Sequence, residues 1–227
     1  MTVSAVIFDW GGTLTPWHTI DEAGLWRAVC VQHYEDSLAA QTATTLRSAE
    51  LELWDIARRE QRSATLQDLL SLAGVLVSGE FLESYFRAWE PHTFTDPDAG
   101  EVLRELRRRG IKVGVLSNTM WPRARHELIF ARDGVLDLID GAVYSCEIPW
   151  TKPHPEAFRA AMAAVGAVAP GDCVYVGDRP FDDIHGAHAA GLRTVLVPNS
   201  DVPPFDGAVP DAVISRLAEL PGVIDRW

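Results

Sequence analysis

The residues of this chain that are best suited to chemistry stand directly after separate apolar segments. In chain order they are Asp9, Ser117 with Asn118, Lys152, and Asp178 with Asp182 and Asp183. An isolated aspartate or a Ser-Asn pair is a common turn element and carries little weight by itself. Four such groups in succession, each placed where a strand is expected to end, are hard to explain by packing.

Together, these side chains have the chemistry of a site for a divalent metal ion and an anionic ligand. Asp9 and Asp178 supply the carboxylate oxygens that Mg²⁺ prefers, with waters and a substrate phosphate completing the octahedron. The Ser117 hydroxyl and nearby backbone amide groups can hold phosphoryl oxygens, while Lys152 offsets the crowded negative charge. Lysine occurs only at positions 112 and 152, so either a compact point charge is required here or its presence is chance.

The stretch from Ala5 to Thr15 predicts how the first of these groups is placed. Its apolar run ends abruptly at Asp9 and is followed by Gly11 and Gly12. A run without polar alternation is typical of a strand buried on both faces of a parallel sheet. Ligands of open α/β sheets bind beyond the carboxyl ends of the strands, and glycines allow the backbone to approach a ligand closely. We therefore expect Asp9 to stand in a ligand site.

The elements that follow predict an α/β fold, a doubly wound and mainly parallel sheet with an inserted all-helical cap. Apolar residues recur at helical spacing between residues 16 and 90, and the stripe formed by Phe81, Tyr85 and Trp89 indicates core packing. From residue 91 onward, helical and strand patterns alternate, as in a parallel sheet. We predict a core domain of residues 1–15 and 91–227 and a cap of residues 16–90 that closes over the site.

The later elements are predicted from periodicity and from turn residues. Strands are expected at Ile111–Ser117, Ala142–Ile148, Cys173–Val176 and Thr194–Val197, with an edge strand at Ala212–Ile214. Helices are expected at Asp96–Arg109, Pro122–Ala131, Pro155–Val165 and Asp182–Ala190. Because right-handed crossovers bring the ends of parallel strands to one edge, the polar groups should converge there.

Composition limits the classes of partner. The net charge of -12 speaks against a general nucleic-acid binder, because phosphate neutralisation needs a basic face. It leaves room for a small anionic substrate, since local donors can act inside an acidic protein. The three dispersed cysteines show no metal or disulfide spacing, and neither a secretory signal nor a membrane-length apolar run is apparent. We expect a cytoplasmic protein with a small-molecule substrate; the sequence makes no prediction of oligomeric state.

The ordered set of motifs resembles the haloacid dehalogenase superfamily of phosphatases and related hydrolases. The matching residues are Asp9 with Gly12-Thr13-Leu14, Val115-Leu116-Ser117-Asn118, Lys152-Pro153, and Val176-Gly177-Asp178 with Asp183. The stretch from Asp182 to Ala187 and then Ala190-Gly191 is similar to the usual continuation of that family. The resemblance spans the predicted sheet domain, and the helical insert falls where many members carry a small cap.

The resemblance implies a role for each matching residue. Asp9 would be the nucleophile that forms an aspartyl-phosphate, Ser117 would bind the transferring phosphoryl group, and Lys152 would brace both. The metal ligands would be Asp9, the backbone carbonyl of Gly11, Asp178 and Asp183, with Asp182 as a weaker candidate. Gly12, Thr13 and Asn118 would contact the substrate. Arg179 would either contact the substrate or pair with a neighbouring carboxylate. These roles imply a Mg²⁺-dependent phosphatase of a small phosphorylated metabolite.

The position of Gly11 departs from the family pattern. Phosphatases of the family usually have an aspartate there, which serves as general acid and base and ligates the metal through its backbone carbonyl. Glycine retains the carbonyl but cannot transfer a proton, and general acid–base catalysis is worth about 10²–10⁴ in rate. The residues that we consider as replacements are His18, Glu22, His33 and His154.

Three other functions are compatible with a missing acid to different degrees. Dehalogenases of the family lack the acid because halide leaves unprotonated, but their fourth motif usually works without metal. Phosphonoacetaldehyde hydrolases need a cap lysine, and residues 1–109 contain none. A catalytically weak protein that only binds a ligand or partner is the third alternative. Trp10, Trp121 and Trp150 lie beside the predicted site, and packing is favoured over an aromatic pocket.

Overall fold

A six-stranded, fully parallel sheet forms the centre of the protein, in the strand order β3-β2-β1-β4-β5-β6. The computed structural model describes residues 3–167, 169–198, 202 and 204–227. The strands are β1 (Ala5–Phe8), β2 (Lys112–Ser117), β3 (Gly141–Tyr144), β4 (Cys173–Gly177), β5 (Arg193–Leu196) and β6 (Ala212–Val213). The predicted α/β fold with a doubly wound parallel sheet is confirmed.

Strand β1 lies between β2 and β4, and its register with them determines where the candidate site residues meet. Phe8 pairs with Val115 of β2 and with Val176 of β4. The residues that follow each of these partners therefore leave the sheet at nearly the same height. This register brings Asp9, Ser117 and Asp178 to one edge of the sheet, as the crossover rule requires.

Alternate residues of the strands enter two apolar clusters on opposite faces of the sheet. Val6 and Phe8 belong to one cluster, whereas Ala5 and Ile7 belong to the other. Period-two alternation with apolar residues on both sides explains why β1 has no polar residue. The covering helices are α5 (Ala99–Arg108), α6 (Arg123–Arg132), α7 (Pro155–Ala164), α8 (Gly186–Ala189) and α9 (Leu220–Ile224).

Residues 16–90 form helices and contribute no strand to the sheet. The helices are α1 (Glu22–Cys30), α2 (Asp36–Glu60), α3 (Leu66–Ala73) and α4 (Gly79–Trp89). Their apolar faces share a third cluster with Met120, Trp121 and Ile129, so the helical segment packs directly against the region that follows β2. The division into a core domain and a cap at residues 15/16 and 90/91 stays a prediction.

Side-chain caps mark where the helices of this segment begin. The Asp21 carboxylate accepts a hydrogen bond from Gly24 N at 2.9 Å at the start of α1. Thr65 Oγ1 accepts one from Asp68 N at 3.1 Å at the start of α3. Each cap satisfies a backbone donor that has no partner inside the helix and is worth about 1 kcal/mol.

Three predicted boundaries were wrong for local reasons. Strand β3 ends at Tyr144 instead of Ile148, because Ser145 turns away to bond the backbone of Thr119. Helix α5 begins at Ala99, since the Asp96 carboxylate accepts from Asp98 N at 2.8 Å and holds a turn there. The helix predicted at Asp182 begins earlier, as a π-helical segment from Pro180 to His185, and continues as α8.

Among the described residues, no helix has both the length and the apolar character that a bilayer crossing requires. The longest, α2, carries charged residues along its length.

The α6 helix offers a matched test of the sheet's packing. Phe130 is fully buried in the cluster beneath β1, whereas Leu128 on the same helix is 60% exposed. We expect Phe130→Ala to lower the free energy of unfolding by about 3–5 kcal/mol through the cavity it leaves. Leu128→Ala should change it by less than about 0.5 kcal/mol. Urea unfolding measures both, and equal losses would contradict the packing described here.

Candidate active site

The turn after β1 holds Asp9 at the floor of a buried site. Asp9 N donates to Val176 O at 2.9 Å, which extends the pairing with β4 by one residue. Gly12 N donates to Thr15 O at 2.8 Å and closes the turn. Gly12 has a φ of +87°, and a Cβ there would collide with the Asp178 carboxylate. Glycine is therefore required at position 12 both by its conformation and by the closeness of Asp178.

Lys152 is the central charge of the site. Its Nζ lies 2.7 Å from Asp9 Oδ1 and 2.6 Å from Asp183 Oδ1. Nζ also donates to the Tyr175 hydroxyl at 2.9 Å. Asn118 fixes the lysine backbone, because its Oδ1 accepts from Lys152 N at 2.8 Å and its Nδ2 donates to Lys152 O at 3.0 Å. Asn118 and Lys152, which the sequence places after different strands, are thus joined directly by hydrogen bonds.

Burial and neighbouring charges shift the pKa values of Lys152, Asp183 and Tyr175. Burial raises the pKa of Asp183 to about 6, although the Lys152 ammonium opposes that rise. Burial alone would lower the pKa of Lys152, but the carboxylates of Asp183 and Asp9 outweigh it and raise the pKa. Burial likewise raises the pKa of Tyr175, so its hydroxyl stays protonated. The lysine accordingly remains a cation at neutral pH.

Asp183 also shapes the loop that carries Asp178. Its Oδ2 accepts hydrogen bonds from Asp178 N at 3.0 Å and from Arg179 N at 2.9 Å. A Cβ at Gly177 would collide with the Asp183 side chain, so Asp183 can lie this close to the backbone only with glycine there. Asp183 thereby connects the position of Lys152 to the position of Asp178.

Three buried carboxylates form a group suited to a metal ion. One oxygen from each of Asp9, Asp178 and Asp183 lies within 4.8 Å of the others. Hard carboxylate oxygens at this separation match the preference of Mg²⁺, which usually keeps several waters and binds few protein ligands. The donor set therefore fits the metal that the sequence predicts, although Asp183 is also an acceptor for several protein donors.

A cavity of about 620 Å³ opens above these residues. The predicted site residues that line it are Asp9, Gly11, Gly12, Ser117, Asn118, Lys152, Arg179 and Asp182. Thr13, which we expected to contact the substrate, is buried, and its Oγ1 lies 3.5 Å from Asp178 Oδ1. Arg179 lies 3.6 Å from Asp182, so it both faces the cavity and pairs with a neighbouring carboxylate.

Gly11 has room for a side chain. A Cβ at this position would meet no atom within 4 Å, and Gly11 is not among the glycines with positive φ. Neither space nor backbone conformation therefore demands glycine there. The cavity wall lacks a carboxylate at this point because the sequence has glycine there, and not because the fold requires it.

The candidate replacements for the missing acid separate into two pairs. His18 and Glu22 line the cavity. His33 instead contacts Ser84 Oγ at 3.0 Å, and His154 Nδ1 accepts from Glu156 N at 3.2 Å. Burial raises the pKa of Glu22, and the Glu50 carboxylate adds to that rise. A carboxyl group of this kind is a better proton donor near neutral pH than an exposed one.

Sequence reasoning missed a charged cluster contributed by the helical segment. Arg47 of α2 pairs with Glu22 of α1 and lies 2.7 Å from Glu50, and all three line the cavity. Glu50 is almost fully buried and also accepts from Trp26 Nε1 at 3.0 Å. The available clue was the spacing of Arg47, Glu50 and Trp54, which places polar residues on one face of a helix.

The two lysines of the chain allow a matched test of the charge cluster. Lys152→Met leaves the Asp9 and Asp183 carboxylates buried without their cation, and breaking such a pair costs about 3–5 kcal/mol of unfolding free energy. Lys112 is 57% exposed and lies 3.0 Å from Asp140, so Lys112→Met should cost less than about 1 kcal/mol. Chemical denaturation in metal-free buffer checks both. Similar losses for the two variants would refute the central role of Lys152.

Known proteins resemble this chain in sequence and in fold. The model of the haloacid dehalogenase-like hydrolase family matches residues 3–191. A phosphoserine phosphatase of Thermus thermophilus is 35% identical over 141 residues, which cover 62% of this chain and 55% of that protein. The chain spans about half the length of the first curated relatives it matches.

Two solved structures share the fold over nearly the whole chain. A phosphatase of the haloacid dehalogenase group from Thermococcus onnurineus has a TM-score of 0.70 at 23% identity, with 97% of each chain covered. The L-2-haloacid dehalogenase of Xanthobacter autotrophicus has a TM-score of 0.67 at 21% identity, with 99% of each chain covered. Since the sequence match to the family runs through most of the chain and the sheet has the same architecture, this protein belongs to the haloacid dehalogenase-like hydrolases.

Proposed function

We propose that the protein is a Mg²⁺-dependent phosphatase of a small phosphorylated compound. The observation that carries this proposal is the contact of Lys152 with Asp9 at the floor of the cavity, beside the carboxylates of Asp178 and Asp183. A carboxylate held by a buried cation and next to a metal-binding group can act as a nucleophile towards phosphorus. The named activity of the Thermus thermophilus relative supports the same reaction class.

Asp9 would attack the phosphorus of the bound ester, and the leaving-group oxygen would depart with the electron pair of the broken P–O bond. Lys152 would hold the attacking carboxylate in place and offset charge on the phosphoryl oxygens. Ser117 and Asn118 line the cavity beside Asp9 and would bind those oxygens, together with the backbone amide group of Gly11. Water would then hydrolyse the aspartyl-phosphate and return Asp9 to its free form.

Asp9, the Gly11 carbonyl and Asp178 would hold the metal ion, with Asp183 in support. A bound Mg²⁺ supplies electrostatic stabilisation of the phosphoryl group. The helices of residues 16–90 would act as a cap that limits the entry of water, because they supply one wall of the cavity.

Gly11 favours a second candidate, a hydrolase that releases halide. Halide needs no proton on departure, so a site without an acid is suited to that reaction. The group of three carboxylates favours the phosphatase, since a metal ion has no part to play in releasing halide through an ester of Asp9. A protein that only binds a ligand remains the third candidate and predicts no turnover of either substrate class.

Phosphate release tests the proposal directly. With Mg²⁺ present, the purified protein should release phosphate from at least one member of a panel containing phenyl phosphate, acetyl phosphate and phosphoserine. Asp9→Asn should abolish that release, because an amide oxygen is a poor nucleophile, and EDTA should lower it by about 10² or more. Activity in Asp9→Asn equal to that of the native protein would refute covalent catalysis. Release of halide from 2-chloropropionate in EDTA would instead favour the dehalogenase.

The space at Gly11 permits a gain-of-function test. Gly11→Asp adds a carboxyl group at a position where a Cβ meets no atom within 4 Å, and we expect it to raise phosphate release from phosphoserine by about 10²–10⁴. Gly11→Asn is the matched control, since it has the same shape and cannot transfer a proton. Steady-state rates at saturating Mg²⁺ compare the three proteins. Equal rates for Gly11→Asp and Gly11→Asn would show that proton transfer at this position does not limit the reaction.

A further inference from the structure

Aromatic side chains form much of the cavity wall. The six that line it are Trp10, Trp17, Trp54, Tyr85, Trp89 and Trp121. The ring centroids of Trp10 and Trp121 are 5.7 Å apart, and those of Trp121 and Trp89 are 5.5 Å apart. This surface therefore runs from the residue next to the nucleophile to the last turn of α4. Trp10, Trp54 and Trp89 are only half-buried, so part of each residue is accessible.

The charged groups of the same wall are matched to one another. Arg47 pairs with Glu22 and with Glu50, and Arg179 pairs with Asp182. Outside the floor of the site, the remaining charged lining residue is Arg58, which is exposed. A charged leaving group could bind a wall residue only by displacing its present partner. The displaced side chain would then be left without a counter-charge in a partly buried place. The aromatic surface is available without that cost.

Gly11 restricts the leaving group by an independent route. Gly11 supplies no proton donor beside Asp9, while Glu22 is held in an ion pair with Arg47 and the His18 ring lies against His92. The reaction therefore favours a leaving oxygen that is stable as an anion. A phenol has a pKa of about 10, as in the tyrosine side chain, whereas an aliphatic alcohol is nearly as weak an acid as water, at about 15.7. This difference is large enough to offset the rate factor of about 10²–10⁴ that a general acid supplies.

We propose that the substrates are aryl phosphates, the phosphate monoesters of phenol-like compounds. The inference rests on the proposed phosphatase function and specifies its leaving group. The Asp9 carboxylate forms a bond to phosphorus as the bond between phosphorus and the aryl oxygen breaks. The electron pair stays on that oxygen, and the phenolate takes a proton from water after it leaves. The ring lies against the aromatic wall, where offset and edge-to-face contacts add to apolar burial.

Three small substrates distinguish the effect of leaving-group acidity from the effect of the aromatic wall. Phenyl phosphate has a ring and an acidic leaving group, acetyl phosphate has an acidic leaving group without a ring, and phosphoserine has neither. With Mg²⁺ present, kcat/KM for phosphoserine should be about a hundredfold or more below that for phenyl phosphate. Acetyl phosphate has the more acidic leaving group and no ring, so its kcat/KM serves as the reference for a reaction to which the aromatic wall contributes nothing.

Two tryptophan variants test the wall. Trp54→Ala should lower the ratio of kcat/KM for phenyl phosphate to that for acetyl phosphate by about tenfold, through lost ring contacts. Trp150 does not line the cavity, and its ring stacks on His154 at 5.6 Å, so Trp150→Ala should leave the ratio unchanged. Because acetyl phosphate reports on the same nucleophile, a folding defect would lower both values and preserve their ratio.

Each contrary result has a distinct meaning. Phosphoserine cleaved as well as phenyl phosphate would overturn the leaving-group inference and leave the phosphatase function standing. An unchanged ratio in Trp54→Ala would overturn the role of the aromatic wall. No phosphate release from any of the three substrates, by the native protein or by Gly11→Asp, would overturn the proposed function and the inference with it.

Discussion

The ion pairs of Lys152 with Asp9 and Asp183 are the interaction on which the rest of the site depends. Carboxylates crowded into a buried space repel each other and lose their hydration, which is costly unless a cation lies among them. Lys152 supplies that cation, and Asn118 fixes its backbone. Asp183 links Lys152 to the loop of Asp178, because the carboxylate that contacts the lysine also accepts hydrogen bonds from the backbone of that loop.

The parallel sheet is what makes this arrangement possible. β1, β2 and β4 end at nearly the same height, so side chains that are more than 100 positions apart in the sequence meet at one edge. Both faces of β1 are covered by apolar clusters, and polar groups can therefore appear only where the strand ends. Glycines at positions 12 and 177 then allow carboxylates to approach the backbone more closely than a Cβ would permit.

The cavity has the Asp9–Lys152 ion pair at its floor and no carboxylate at position 11. Gly11 leaves an open space next to Asp9, and the aromatic and charged walls come largely from the helices of residues 16–90. Under the proposed function, such a site would select its substrate by the acidity of the leaving group and by its fit to the aromatic wall. On this proposal, the residues around Asp9 would carry out the bond cleavage, while the helices of residues 16–90 would determine which molecule is bound.

The sequence by itself determined the α/β fold, the polar groups at the strand ends and the family, because an apolar strand followed by a functional residue is a local pattern. It also predicts, through the family resemblance, that Gly11 stands where related phosphatases have their acid. Only the tertiary structure decided which residues of the cavity wall meet. It brings Arg47 to Glu22 and Glu50. It also places the Trp121 ring between those of Trp10 and Trp89. Helical periodicity shows which residues share a face, but not which face meets which. Likewise, the ends of β3 and α5 depended on Ser145 and Asp96, whose hydrogen bonds no periodic pattern reveals.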